Sequence, residues 1–344
     1  MVEAVPQLIS WLESRGGRLR DIEAGEVAQG GRGIVATRDI APGACVLEVP
    51  FPCLMTCSSA LACPTVSAVV NAGPLPLTPF QVLTIHVLFE TSKKAGSAWW
   101  PYLQTLPHSY TSGPYFAASD LDALAPAPSV HRRVAEAAQR TRRDWHAALP
   151  ALRAMPFPDD RWRRLGAWRW AAATLGTRTM YLPPGYPGHA GGGPLGPGPD
   201  PGGLTPLGDL HNYAPPAGPL VFLDYGRYTN AELMQLYGFV LRDNPHDAAP
   251  LEAASFCVAA REARAFTWLR GALDRELAGA TPVLVEGLRR EEAGQGPPTP
   301  CAEVALAWLK EHVRILLRGL QTCDTVLSSL AEIDPERTGV RAGS

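Results

Sequence analysis

No apolar run in the 344-residue chain approaches the ~20 residues that a bilayer-spanning helix needs. Net charge is scarce as well. With 31 Lys and Arg against 33 Asp and Glu, the balance is −2, which argues against a protein that holds nucleic acid through many phosphate contacts. The seven cysteines include no CxxC pair, and the nearest two are Cys53 and Cys57, so the paired spacings of a zinc site are lacking. An odd count fits a reducing compartment better than a disulfide-stapled fold, and small buried thiols are the expectation. No GxSxG elbow marks a hydrolase nucleophile. The first residues, MVEAVPQLISWLES, carry an early acid and no basic stretch, unlike a secretory signal. An intracellular setting is expected, cytoplasmic or nuclear, with an organelle left open; neither membrane nor nucleic acid is an expected partner.

What is present supports a packed protein. Hydrophobic residues make up 46% and charged ones 19%. Val5 to Arg15 reads as a short amphipathic helix with Leu8, Ile9 and Leu12 on one side. A strand is expected at Ile34–Ala36, a turn at Pro42-Gly43 and a second strand at Cys45–Val49, paired as a hairpin. Thr78-Pro79 has the pattern of an N-cap and first helical turn, followed by Phe80, Leu83 and Val87 at helical spacing. The basic, Ala-rich segment from Ser129 to Leu149 reads as a solvated helix face. Between Asp159 and Leu175, the positions Leu165, Trp168, Ala172 and Leu175 form one core-facing stripe. Residues 183–203 are dominated by Pro and Gly and predict a surface loop. LVFLDYG reads as a strand, and NAELMQLYGFVL as a short helix running into a strand. Helical texture returns at 251–277 and at 299–331, the latter headed by Thr299-Pro300. No internal repeat is visible.

Three separated segments carry the chemistry. They are Gly30-Gly31-Arg32-Gly33; Pro206-Leu207-Gly208-Asp209-Leu210-His211-Asn212-Tyr213; and Asp224-Tyr225-Gly226 with Asn230 and Tyr237-Gly238-Phe239. Each alone is weak. The glycine turn lacks the GxGxxG spacing of a dinucleotide site and could serve any positive-φ position. Tyr225 and Tyr237 could be ordinary strand aromatics, Arg178 a surface cation, Asn212 a turn residue and Asp209 a helix cap.

In this order, however, the segments resemble SET-domain methyltransferases, in the branch that includes the RuBisCO large-subunit lysine methyltransferase and the actin-histidine methyltransferase. GRGIVATRDIAPG resembles that branch's entry motif, WWPYLQTLPHSYTSGPYF (99–116) its helical insert, and Trp170 to Arg178 the helix and arginine that follow. PLGDLHNY stands where the family has an Asp-x-x-Asn-His segment, and FLDYGRYTNAELMQLYGFVLRDNPHD resembles its closing segments. The resemblance implies an α+β protein. A SET-type β-sheet domain would occupy 1–250, split by a helical insert at about 62–182 and the loop at 183–203. An all-helical substrate-binding region would follow at 251–344.

It also implies S-adenosylmethionine as cofactor and a protein substrate presenting a lysine, or a histidine, to a chain acting as a monomer. By resemblance, Gly31, Arg32 and Gly33 would line the cofactor, with Arg178 on its carboxylate end. Asp209, Asn212 and Tyr213 would join them, and Tyr237 and Phe239 would supply an apolar or stacking wall. Tyr225 would be the catalytic pocket tyrosine, and the chemistry requires no metal. Two departures stand out. Tyr213 occupies the position where the family has His. Only the ten residues Ala214 to Leu223 separate it from Asp224, where the family builds additional strands. Ten residues reach at most about 36 Å, so they bridge elements without forming two more strands. A trimmed sheet, or a catalytically silent SET-fold binding module, is the alternative these departures raise.

Overall fold

The first helix, α1 (Ala4–Ser14), buries Val5, Leu8 and Leu12, the stripe that its 3.6-residue period sets on one side. The computed structural model describes residues 4–27, 31–73, 76–183, 195–213, 220–223, 225–249 and 262–333. These fall into two compact units, one made of Met1–Tyr110 and Arg140–Gly226, the other of Thr111–Gln139 and Arg227–Ser344. Residues 111–139 and 227–249 group with the C-terminal helices in the second unit.

After α1 come β1 (Arg18–Leu19), β2 (Ile22–Val27), β3 (Gly31–Ala36) and β4 (Leu47–Glu48). The pairing corrects the expected hairpin. β3 pairs antiparallel with β2, from Ile22↔Ala36 to Val27↔Gly31, whereas β4 pairs with β1 through Arg18↔Glu48 and Leu19↔Leu47. The stretch IEAGEV conceals a strand, since two acids and a glycine interrupt the apolar alternation on which a strand is recognised. The turn at Gly43, with φ +83°, does reverse the chain as read.

Helices α2 (Cys57–Ala62), α3 (Pro64–Ala72) and α4 (Pro79–Ser92) follow. The cap read at Thr78 is present and reciprocal: Gln81 N–H donates to Thr78 Oγ1 and Thr78 N–H to Gln81 Oε1. α4 is buried nearly all round, including His86 and Glu90. Burial holds the His86 imidazole down at a pKa of about 4, so it is neutral at pH 7. After α5 (Trp100–Leu103) comes α6 (Pro128–Ala154), which contributes Val130 and Val134 to the core of the second unit and Ala148, Ala151 and Leu152 to that of the first. α7 (Leu165–Arg178) buries Trp168, Ala172 and Leu175, as the stripe predicts, and ends on Arg178.

The rest of the first unit is short strands. β5 (Thr179–Met180) pairs with β6 (Gly203–Leu204). β7 (Asn212–Tyr213) and β8 (Leu220–Leu223) complete a four-stranded sheet of order β2-β3-β8-β7. β3 meets β8 through Ile34↔Val221 and Val35↔Leu220, and β7 runs parallel to β8 through Asn212↔Phe222 and Tyr213↔Leu223.

The second unit is helical, with α8 (Asn230–Leu236), α9 (Glu262–Glu292) and α10 (Pro300–Ile333). Its core gathers Phe116, Leu124, Ala231, Met234, Trp308 and Leu309. The strand expected after α8 does not form. Gly238, at φ +81°, turns the chain with its N–H on Leu233 O, and buried Asn230 pins Leu241 by donating to its carbonyl and accepting from its N–H, both at 2.9 Å. α9 extends beyond the 277 read as its end, because the Leu277, Ala280 and Leu284 stripe continues to pack. Residues 251–261, with which that helix was expected to begin, lie outside the described residues, as does most of the Pro/Gly loop. Six described cysteines are free thiols, four of them buried. Among the described residues no helix is long and apolar enough to cross a membrane.

Candidate functional site

The glycine turn becomes the start of β3, where Gly33 lies directly across from Gly25 of β2. Strand alternation puts Gly31 and Gly33 on one face and Arg32 on the other. On one face of the hairpin Gly33 and Gly25 thus stand opposite each other without side chains; Gly33 is buried, and Val35 Cγ2 lies 3.3 Å from where a Cβ on Gly25 would be. Gly30 lies outside the described residues.

On the opposite face Arg32 enters a half-buried polar cluster. Its Nη2 donates to Thr105 O at 2.7 Å, while its Nη1 is buried with no hydrogen-bond partner among the described residues. Close by, at the end of α7, Arg178 Nη1 donates to both the carbonyl and the Oδ2 of Asp209 at 3.0 Å. The pair is deep, with side-chain exposures of 17% for Arg178 and 2% for Asp209. The Tyr102 hydroxyl donates to the same Oδ2 at 2.9 Å. Arg178 Nε, like Arg32 Nη1, is buried without a partner among the described residues.

Two guanidiniums therefore lie within electrostatic reach of one carboxylate, though only Arg178 is bonded to it. Burial works against the charge of Arg178, yet Asp209, with Tyr110 and Tyr102, raises its pKa above the ordinary arginine value. Burial, and then the repulsion of Arg178, lower that of Arg32. Desolvation raises Tyr102 well above the usual phenol value and raises Tyr110 as well, so both stay neutral hydroxyls. The cluster holds a surplus of positive charge and two unused N–H donors. A carboxylate supplies what such donors lack.

The residues before β7 form a tight turn. Leu207, fully buried, takes φ +65°, a conformation that costs a branched side chain on the order of 1–2 kcal/mol. The turn presents Asp209 inward to Arg178 and brings His211 Nδ1 to Gly208 O at 2.9 Å, a contact in which the ring N–H donates. Burial lowers the His211 pKa, so the ring is neutral at pH 7. Asn212 Nδ2 then donates to Arg32 O at 3.3 Å, joining the turn to the start of β3.

Tyr213 and Tyr225 complete the group. Their rings lie 5.0 Å apart at 31°, and their hydroxyls cross over: Tyr213 OH donates to Gly226 O at 2.7 Å, and Tyr225 OH to His211 O at 2.8 Å. Burial raises the Tyr225 pKa, keeping it a phenol. The structure thus brings Arg32, Arg178, Asp209, Asn212, Tyr213 and Tyr225 into one connected network in the first unit. Gly31 and Gly33 sit on the adjoining strand. Tyr237 and Phe239 belong to the second unit, where their rings lie 6.2 Å apart and Tyr228 meets Tyr237 at 5.8 Å.

Sequence reasoning passes over Tyr102, Thr105 and Tyr110, which lie within or next to WWPYLQTLPHSY. Their roles depend on partners more than sixty positions away, and no spacing rule reports those.

No family model matches the chain. Among curated proteins, Protein SET DOMAIN GROUP 40 of Arabidopsis thaliana is 28% identical over 284 residues, covering 67% of this chain and 54% of that protein. SET domain-containing protein 4 of Mus musculus is 25% identical over 275 residues, covering 72% and 61%. Actin-histidine N-methyltransferase of Gallus gallus is 24% identical over 274 residues, covering 72% and 44%. The chain spans about half the length of these relatives. Among solved structures, Rubisco LSMT bound to sinefungin and monomethyllysine superposes with a TM-score of 0.64 at 16% identity, covering 95% of this chain and 92% of that one. Rubisco LSMT bound to AdoMet gives 0.60 at 16%, covering 94% and 92%. The chain has the SET fold, in the form shared with the RuBisCO large-subunit methyltransferase, and its sequence is similar to SET-domain proteins that include the actin-histidine enzymes.

Proposed function

We propose that the chain is an S-adenosylmethionine-dependent protein methyltransferase acting on a lysine side chain. The observation that carries this reading is the pair of buried, unused guanidinium donors, Arg32 Nη1 and Arg178 Nε, beside a single carboxylate. They suit the α-carboxylate of an amino-acid moiety, and S-adenosylmethionine carries one. Arg32 and Arg178 would hold that end, with Asp209 and Tyr102 fixing the orientation of Arg178. Asn212 would hold the strand edge at Arg32, and the glycine face of β3 would admit the cofactor's bulk. The similar structures that hold AdoMet, sinefungin and monomethyllysine support this assignment.

The bound cofactor supplies a methyl group on a sulfonium, open to in-line attack by a neutral amine. A lysine with a pKa of about 10.4 costs roughly 4.6 kcal/mol to deprotonate at pH 7. Removing the ammonium from water lowers that cost, and aromatic walls do this. Tyr225 gives its one proton to His211 O, which leaves its oxygen the role of an acceptor. Such an oxygen orients an amine N–H and excludes water. Most of the acceleration then comes from positioning. The relatives named for actin-histidine methylation favour a second reading, in which the accepting nitrogen is an imidazole.

The test measures S-adenosylhomocysteine binding by calorimetry and tritium transfer from S-adenosylmethionine to lysate proteins. Wild type binds and labels. Arg32→Ala weakens binding at least about tenfold, the value of one charged hydrogen bond. Tyr225→Phe binds normally and loses labelling. A wild-type chain with no measurable binding refutes the reading, and binding without labelling supports the silent module instead. Acid hydrolysis of labelled protein separates methyl-lysine from methyl-histidine.

A further inference from the structure

Away from that network, α4 places His86 and Glu90 four residues apart, hence on one side of the helix. That side meets Cys63, the residue joining α2 to α3. Sγ of Cys63, a ring nitrogen of His86 and a carboxylate oxygen of Glu90 all lie within 4.8 Å of one another. His86 is fully buried, and neither of its ring nitrogens has a hydrogen-bond partner among the described residues. A neutral imidazole carries one N–H donor and one lone pair, and burying both unmet is costly. Packing explains the ring's position, since Trp99 stands nearly perpendicular to it with ring centroids 5.4 Å apart. It does not explain why a polar ring is there. Phe or Leu would fill the space without the penalty.

We propose that Cys63, His86 and Glu90 form a zinc(II) site, with sulfur, nitrogen and oxygen ligands and a fourth position open to water. The residue types suit a borderline-soft ion: thiolate and imidazole discriminate against calcium and magnesium, and three protein ligands plus water is the pattern of an open zinc site. Binding releases the Cys63 thiol proton to solvent. One thiolate and one carboxylate then balance the two positive charges of the ion. Glu90 already has a cationic partner in Lys93 and accepts from Ser97 Oγ at 2.7 Å. The ammonium belongs to a side chain 33% exposed, which can swing outward as the ion takes its place, while Ser97 stays to orient the carboxylate.

A route in exists. Cys63 lines a cleft of about 480 Å³ whose walls include Phe51, Ser58 and Trp99. Of the three ligands only Cys63 is partly exposed, so the ion would arrive past it from the solvent side, and the cleft gives room for its water. This assignment is independent of the methyl-transfer reading, because nothing in it draws on the arginine cluster.

The experiment uses the full chain and metal alone, without cofactor or substrate. Cobalt(II) titration followed by absorption should show one equivalent bound, with a thiolate-to-cobalt charge-transfer band in the near ultraviolet. Zinc competition against a chromophoric chelator gives the affinity. Cys63→Ser should abolish the band and weaken zinc at least about 100-fold, since even outer-shell partners are worth 10–100-fold. Cys45→Ser, at an exposed thiol, should change neither. Lys93→Met should tighten zinc by removing the competing ammonium. A wild-type chain that shows no band, or a band that persists in Cys63→Ser, overturns the proposal. X-ray absorption of the zinc-loaded wild type decides the same question without a variant: a sulfur scatterer supports the site, and a shell of nitrogen and oxygen alone rejects it.

Discussion

Substituting Asp209 by Asn tests the charge arrangement of the arginine cluster directly. The carboxylate is 2% exposed and receives Arg178 Nη1 at 3.0 Å and Tyr102 OH at 2.9 Å. Asn keeps the shape and one acceptor but removes the charge, leaving the repulsion between Arg178 and Arg32 without the carboxylate that offsets it. Removing one partner of a buried pair costs about 3–5 kcal/mol, because the other charge stays desolvated. For a unit of this size each kcal/mol moves the melting temperature by about 2–4 °C, so a fall of roughly 6–20 °C is expected. Thermal melts followed by circular dichroism measure it. The triple variant Tyr102→Phe, Arg178→Met, Asp209→Leu removes the ion pair and the hydroxyl bonded to it, leaves the half-buried Arg32 in place, and should recover part of that loss, since apolar replacement of a buried pair is often neutral or better. The reasoning fails if Asp209→Asn melts within about 2 °C of wild type. It fails equally if the triple variant is less stable than Asp209→Asn alone.

Two further outcomes follow from the same physics. Gly238→Ala forces a left-handed backbone onto a side chain whose Cβ would sit 2.5 Å from the Thr111 carbonyl carbon. It should lower stability by more than about 2 kcal/mol, read as a shifted urea midpoint, and an unchanged midpoint would show that the segment yields. His211 has a pKa below its ordinary value because it is buried, so the unfolded chain binds more protons than the native one in that window. Its contribution is complete above about pH 6.5 and is lost as pH falls through the native value. Wild type should therefore lose stability relative to His211→Gln on acidification below about pH 6.5, and parallel stability–pH curves would contradict this.

How far the sequence can be read depends on the range of the interaction. The α4 cap is legible because Thr78, Pro79 and Gln81 act within one turn, and the α7 stripe because its period is local. Strand β2 is not, since Gly25 and the flanking acids are explained only by the neighbour they face, and without it β3 is assigned the wrong partner. The strand expected at YGFVL fails because Asn230, eleven residues upstream of Leu241, takes the backbone bonds a strand would need. Arg178 and Asp209 both stand out in the sequence, yet their bond to each other spans 31 positions and no pattern announces it. His86 and Glu90 have the helical spacing of a ligand pair. The cysteine spacing points away from metal because Cys63 comes from a different helix junction.

The crossed hydroxyls of Tyr213 and Tyr225 give the short connection between them another meaning. Each tyrosine fastens the stretch that carries the other, so the chain from His211 to Gly226 is buckled at both ends into a closed ring. An imidazole at 213 is shorter than a phenol, and the tyrosine there supplies the reach that the clasp uses. A ring closed over about ten linking residues instead of a few tens gives up less freedom on closing, by about 1 kcal/mol on loop-entropy grounds. The ten-residue link thus ends on two fastenings, and the tyrosine at 213 is one of them.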